Sequence, residues 1–160
     1  YPLDYMASVI DFIVEQTQAH ILFNYIPKQK EDANFVFSAC KPETQKHIHF
    51  DIFGKNLREF LALTSFCNAL IGNEGGAINM AKALGIPTFT IFSPWIEKKT
   101  WASFEDGQNV SVHLKDYKPE YFKHKEGKKI KAEALTLYKT FKPSFFLEKL
   151  NVFLNNSLDK

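Results

Sequence analysis

Between Ala69 and Phe92 the chain sets an acid, an asparagine and three glycines in one short polar turn between two apolar runs. An apolar run, Ala69–Ile71, is followed by the turn Gly72-Asn73-Glu74-Gly75-Gly76, then by an Ala-rich run ending at Gly85, then by a second apolar run, Pro87–Phe92. This order predicts strand, helix and strand, a βαβ unit. At the start of such a helix the backbone N–H groups of Gly75, Gly76 and Ala77 have no intrahelical partner, and the helix dipole favours negative charge. A phosphate-bearing ligand is the natural occupant. On the helix, Gly76, Asn79, Met80 and Ala83 share one face, while Ile78, Ala81 and Leu84 share the core face. Asn79 then lies one turn above the glycines on the side of the ligand mouth, able to donate and accept hydrogen bonds. Asn73, Glu74 and Asn79 also suit a turn and cap with no ligand at all. The turn is not a dinucleotide fingerprint, because Gly72-x-x-Gly75-Gly76 lacks the G-x-G-x-x-G spacing and no acid closes a following strand to hold a ribose.

Other side chains offer less. His47 and His49 share a face of a short extended run, as two metal ligands do, but no third ligand has suitable spacing, and surface histidines explain them as well. Cys40 and Cys67 sit among apolar neighbours and read as buried thiols of a reducing compartment rather than a disulfide framework. There is no Asp-x-Asp to clamp a divalent ion on a diphosphate. Lys115–Lys131 holds seven lysines against Asp116, Glu120 and Glu126. It suits a solvated face, or attraction to an anionic membrane surface.

These residues need elements to position them. Leu3, Met6, Val9, Ile10, Ile13 and Val14 follow the helical period to about Gln18. His20–Tyr25 reads as a strand ended by Pro27. The polar residues Lys28–Asn34 lead to a second helix at Phe35-Val36-Phe37, and Lys46–Phe50 reads as a short strand. Asn56 is an N-cap for a helix carrying Leu57, Phe60, Leu61 and Leu63. Trp95–Asp106 is mixed, Val110–Leu114 is a last strand, and two helices, Lys131–Phe141 and Pro143–Asn155, finish the chain, with Pro143 in the first turn of the second. Strand and helix alternate about four times, which predicts an α/β fold with a parallel sheet covered by helices on both faces. The 160 residues, 45% of them hydrophobic with sixteen Phe and six Tyr, suit one globular domain. A net charge of +2 gives no case for nucleic acid. No run is long enough for a membrane span, and Tyr1-Pro2-Leu3-Asp4 has no leader character, so the expected location is cytoplasmic. A doubly wound domain opens on a strand, whereas this chain opens on a helix; residues 1–160 are therefore expected to be a fragment lacking the first strand and its ligand-side turn.

The run Leu70-Ile71-Gly72-Asn73-Glu74-Gly75-Gly76-Ala77-Ile78-Asn79-Met80-Ala81-Lys82-Ala83-Leu84-Gly85-Ile86-Pro87-Thr88 resembles the signature of glycosyltransferase family 9, the lipopolysaccharide heptosyltransferases. That pattern is an apolar strand, Gly-Asn-Asp-Ser-Gly, two residues, His, an apolar residue, Ala, then Ala-Leu-Gly-x-Pro and a strand ending in Gly-Pro. Leu57–Leu63 is similar to the helix before it, and Tyr1-Pro2-Leu3 to the Trp-Pro that opens the first helix of the family's C-terminal domain. Glu74 stands for the family's Asp, Asn79 for its His, and Ser93-Pro94-Trp95 for Gly-Pro-Thr.

The resemblance implies a Rossmann-like, doubly wound domain, the C-terminal half of a two-domain glycosyltransferase of the GT-B type, with the N-terminal acceptor domain outside this chain. It implies an inverting, metal-independent transfer from ADP-heptose or a similar nucleotide-sugar to a lipid-linked glycan acceptor in lipopolysaccharide core assembly, at the inner face of the cytoplasmic membrane. Glu74, Gly75, Gly76, Ala77 and Asn79 become donor-binding residues, with Lys98 or Lys99 beside the diphosphate. No metal or other cofactor is expected, the catalytic base lies outside the chain, and this piece alone binds without turning over. Gln29 or Glu31 is a candidate contact to the nucleoside ribose. Two rivals stand beside this reading: another two-domain nucleotide-sugar enzyme, such as an epimerase, and a non-catalytic nucleotide-binding module.

Overall fold

The computed structural model describes residues 1–123 and 127–158. It is a mixed α/β structure in two compact units, one of Pro2–Cys67 and one that runs from Asn68 onward and includes Tyr1.

In the N-terminal unit, α1 (Leu3–Thr17) buries Ala7, Val9, Ile10, Ile13 and Val14, the stripe its period predicts, and ends at Gln18 in the left-handed conformation. α2 (Lys30–Ala39) starts earlier than its apolar residues suggest. Glu31 and Asp32 suit the positive end of a helix, so the polar run joins the first turn instead of preceding it. A short helix, α3 (Pro42–Gln45), was not legible. It is held by the buried Asp11 of α1, whose carboxylate accepts from the Lys41 N–H at 2.9 Å. Ala7, Ile10, Val36, Cys40 and Ile48 form the buried core. The two expected strands are a correction: His20–Tyr25 and Lys46–Phe50 meet in one parallel bridge, Ile21 to Ile48. Aromatic packing replaces the backbone ladder there, with Phe23 and Tyr25 against Phe50 and Tyr25 stacked on Phe53 at 5.1 Å. Asn56 caps α4 (Leu57–Ser65) as expected; its Oδ1 accepts from the Glu59 N–H at 3.1 Å, and Glu59 reaches back to the Lys55 N–H.

The C-terminal unit carries a three-stranded, all-parallel sheet in the order β1 (Leu70–Asn73), β2 (Thr88–Ile91), β3 (Asn109–Val112). β1 and β2 are joined through α5 (Gly76–Ala83), the expected βαβ unit. α5 stops where glycine allows it: Gly85 has φ +73°, and the Gly85 and Ile86 N–H groups return to the Lys82 and Ala81 carbonyls. Ile78 and Ala81 are buried as expected, but Leu84 is 41% exposed, because the chain turns out of the helix at that residue. Each β2 residue is at most 1% exposed, so both faces of the sheet are covered there. The expected mixed segment contains α6 (Lys98–Trp101), and α7 (Leu114–Tyr117) follows β3. The expected helix over Lys131–Phe141 is divided at Glu133 into α8 (Gly127–Ala132) and α9 (Ala134–Thr140). Pro143 opens a separate 3₁₀ turn, Pro143–Phe145, before α10 (Leu147–Leu158). Phe89 packs on Phe146 and Phe153, with ring centroids 5.9 and 5.5 Å away, which seats α10 on the sheet. Tyr1 joins this unit by donating from its hydroxyl to the Phe141 carbonyl at 2.7 Å.

Phe89 is fully buried, so Phe89→Ala is expected to cost about 3–5 kcal/mol in urea unfolding. At Gly85 an added Cβ would meet no atom within 4 Å, so Gly85→Ala should cost only the left-handed backbone penalty, about 1–2 kcal/mol.

Candidate functional site

Parallel strands bring their C-terminal ends to one edge, the place where open α/β sheets hold ligands. Asn73 and Glu74 leave β1 there, Phe92 and Ser93 leave β2, and His113 leaves β3. The chain enters α5 through Gly75 at φ +152°, a conformation open to glycine and strained for other residues. No side chain caps α5, Gly75 and Gly76 are exposed, and Ala77 is half-buried. The first N–H groups of the helix are therefore open at this edge. Asn79 is exposed one turn along, its N–H bonded to the Gly75 carbonyl at 3.2 Å.

Glu74 does not lie loose in the turn. Its Oε2 accepts from the Ser93 N–H at 3.0 Å, tying the exit of β1 to that of β2. Burial pushes the carboxyl pKa up, and the hydrogen bonds from the Ser93 and Glu74 backbones pull against it. His113, 4% exposed, accepts from the Lys115 N–H on Nδ1 at 3.0 Å, which assigns its proton to Nε2. Nε2 is buried and faces the backbone of Ser93 and Pro94 without a hydrogen bond of normal geometry. Burial lowers the imidazole pKa, with Asp116 acting in the opposite direction. Ser93 Oγ is likewise buried without a hydrogen-bond partner. Tyr138 of α9 comes near the side chains of Ser93 and Asn73; burial raises its phenol pKa, and those two neighbours offset part of the rise.

Five of the expected residues, Glu74, Gly75, Gly76, Ala77 and Asn79, thus lie together on the β1–α5 turn. Lys98 makes its contacts with other residues. Its ammonium, on a side chain 20% exposed, donates to the Ser111 carbonyl at 3.2 Å and to Asp116 at 3.0 Å, with Glu105 at 3.9 Å. Lys99 beside it is exposed. Gln29 and Glu31 belong to the N-terminal unit and are exposed; the Gln29 side-chain carbonyl already takes the Ile26 N–H at 3.2 Å. Sequence reasoning missed His113 and Tyr138. A histidine directly after a parallel strand is a readable signal, whereas nothing in the sequence brings α9 to this edge. Two cavities, of about 460 Å³ beside Glu15, Lys41 and His47 and about 250 Å³ beside Pro87 and Gln108, have no turn residue in their walls. The edge therefore offers open N–H donors for an anion beside a carboxylate, a hydroxyl and an amide for a hydroxyl-rich group. No protein-family model, curated protein or solved structure matches the chain.

Glu74→Gln should leave the stability of the C-terminal unit unchanged or raised in urea unfolding at pH 7, because the amide oxygen keeps the Ser93 N–H while the desolvated charge goes. Glu74→Ala orphans that N–H and should cost about 1–3 kcal/mol. The two buried groups also set opposite pH slopes. Glu74, with its pKa raised, stabilises the fold below the ordinary carboxylate range, and that contribution is lost as pH rises through the folded value. His113, with its pKa lowered, contributes stability above the ordinary imidazole value of about 6.5 that is lost as pH falls toward its folded value. Unfolding measured across pH 4–7 should accordingly show a shallower acid-side decline in His113→Asn, and Glu74→Gln should remove the part of the carboxylate-range slope in which stability falls as pH rises.

Proposed function

We propose that the C-terminal unit is the nucleotide-sugar donor site of a glycosyltransferase similar to the family 9 heptosyltransferases, Rossmann-like and of the GT-B type, working at the cytoplasmic face of a membrane. One observation carries the reading: the uncapped N-terminus of α5, entered through Gly75 at φ +152° and flanked by Glu74, lies within the stretch that resembles the family signature. The diphosphate lies on the open N–H groups of Gly76 and Ala77, where the helix dipole stabilises the charge that builds on it as the sugar leaves. Glu74 takes sugar hydroxyls on the part of its carboxylate that Ser93 leaves open, and Asn79 adds a donor and an acceptor. A carboxylate beside hydroxyls accepts hydrogen bonds, whereas one beside the diphosphate would be repelled. In this reading Lys99, exposed where Lys98 is ion-paired, is the cation offered to the phosphates. Sugar transfer also needs a base for the acceptor hydroxyl, which this reading assigns to an acceptor domain outside the chain. The lysines of Lys115–Lys131 would draw the domain toward an anionic, lipid-bearing surface; three residues of that stretch, 124–126, lie outside the described ones. The pairing of Lys98 with Asp116 and Glu105 favours the second reading, a non-catalytic nucleotide-binding module.

Calorimetric titration with ADP, UDP, GDP and CMP should give saturable heat with one of them, most strongly ADP, and a chelator should leave it unchanged. No heat with any of the four, in a protein extended upstream as well, would end the proposal; a tenfold loss with EDTA, about 1.4 kcal/mol, would end its metal-free form. In the full-length enzyme Glu74→Gln should keep ADP affinity but cut transfer by roughly one to two decades, the loss of a charged hydrogen bond of roughly 1.5–3 kcal/mol made in the transition state. Unchanged transfer would remove Glu74 from the donor site.

A further inference from the structure

In the N-terminal unit Ile21 pairs with Ile48, the Ile21 N–H donating to the His47 carbonyl and the His49 N–H to the Ile21 carbonyl, both at 2.9 Å. This bridge brings together the residue before Ile21 and those on either side of the buried Ile48. All three are histidines. The ring of His20 lies 4.9 Å from that of His49 and 5.8 Å from that of His47, centroid to centroid. His20 Nδ1 and His49 Nε2 are 2.8 Å apart. One of these nitrogens carries the shared proton and the other offers its lone pair. His47 Nδ1 is buried without a hydrogen-bond partner.

We infer that this cluster binds one divalent transition-metal ion of the imidazole-preferring class, of which Zn²⁺ and Ni²⁺ are representative. His20 Nδ1 and His49 Nε2 are the first two ligands, His47 is the third, and water completes the shell. Two imidazoles on one tetrahedral Zn²⁺, each with its nitrogen about 2.0–2.1 Å from the ion, set those nitrogens about 3.3 Å apart with both lone pairs turned onto the ion. Among the described residues no group of three His, Cys, Asp or Glu side chains could hold a metal ion as it stands. Binding therefore parts His20 Nδ1 and His49 Nε2 by about half an ångström and turns all three rings toward the ion. His20 is exposed and the other two rings are half-buried, so the ion enters from solvent. The proton between His20 and His49 moves to the other nitrogen of its own ring, so that both imidazoles ligate in the neutral form. A donor set of imidazoles without carboxylates selects against Mg²⁺ and Ca²⁺. The ion would act as a clip, fastening two segments that the backbone joins at a single bridge.

The test is calorimetric titration of the untagged chain with ZnCl₂ or NiCl₂, alongside thermal unfolding. One equivalent should bind with micromolar affinity and raise the melting temperature, while MgCl₂ and CaCl₂ do neither. His20→Ala and His49→Ala should each weaken binding roughly tenfold or more, with a smaller loss in His47→Ala. X-ray absorption of the zinc-loaded parent chain, which does not depend on any variant folding, should count at least two imidazoles. Absence of saturable binding below about 1 mM, parental affinity in the His20 and His49 variants, or fewer than two imidazoles in the spectrum would each overturn the inference.

Discussion

The hydrogen bond from the Ser93 N–H to the Glu74 carboxylate governs the shape of the edge where the strands end. β1 and β2 are locked in register along four residue pairs, but the ladder ends at Asn73 and Ile91, and beyond it the two exits would be free to part. Glu74 spans that gap. With its side chain drawn toward β2, the carboxylate leaves the helix N-terminus, the backbone turns through Gly75, and α5 begins without a capping side chain. The acid most able to neutralise the first N–H groups is thus used elsewhere, and those groups stay open.

This arrangement has an electrostatic cost that the rest of the edge reflects. Glu74 sits in a half-buried place that pushes its carboxyl pKa up, while burial lowers the imidazole pKa of His113, whose Nδ1 takes the Lys115 N–H. Ser93 Oγ and His113 Nε2 lie buried without hydrogen bonds of normal geometry, the first near Tyr138 and the second facing the backbone of Ser93 and Pro94. Unanswered polar groups are uncommon in a folded interior, and they concentrate where a structure serves a ligand as well as its own stability.

Packing below the edge keeps it rigid. Phe89, Phe146 and Phe153 fill the space between sheet and α10, and the Thr88 hydroxyl donates to Asn109 Oδ1 at 2.9 Å where β2 and β3 begin. Lys98 and Lys149 both donate to the Ser111 carbonyl, binding β3 to α6 and α10. The N-terminal unit is held differently. One parallel bridge, a set of aromatic contacts and the buried Asp11 on the Lys41 N–H take the place of a sheet.

Local chemistry by itself determined the parts whose cause is local. The apolar period placed α1, Asn56 and Glu59 placed the start of α4, Gly85 placed the end of α5, and the alternation of apolar runs with a glycine turn placed β1, α5 and β2. The glycine turn as a helix start was legible for the same reason, since Gly75 and the first N–H groups need nothing distant. Tertiary structure decided what depends on partners far along the chain. Whether 20–25 and 46–50 pair as strands depends on what lies beside them, and aromatic packing left one bridge. Lys98 was readable as a cation after β2 but not as one bound to Ser111 and Asp116, because its neighbours arrive with β3 and α7. Tyr138 reaches Ser93 only through the packing of α9, and His20 meets His49 only because Ile21 and Ile48 pair across 27 residues of sequence. Side-chain type and spacing are written in the chain, whereas the company each side chain keeps is set by the burial of apolar surface from distant segments.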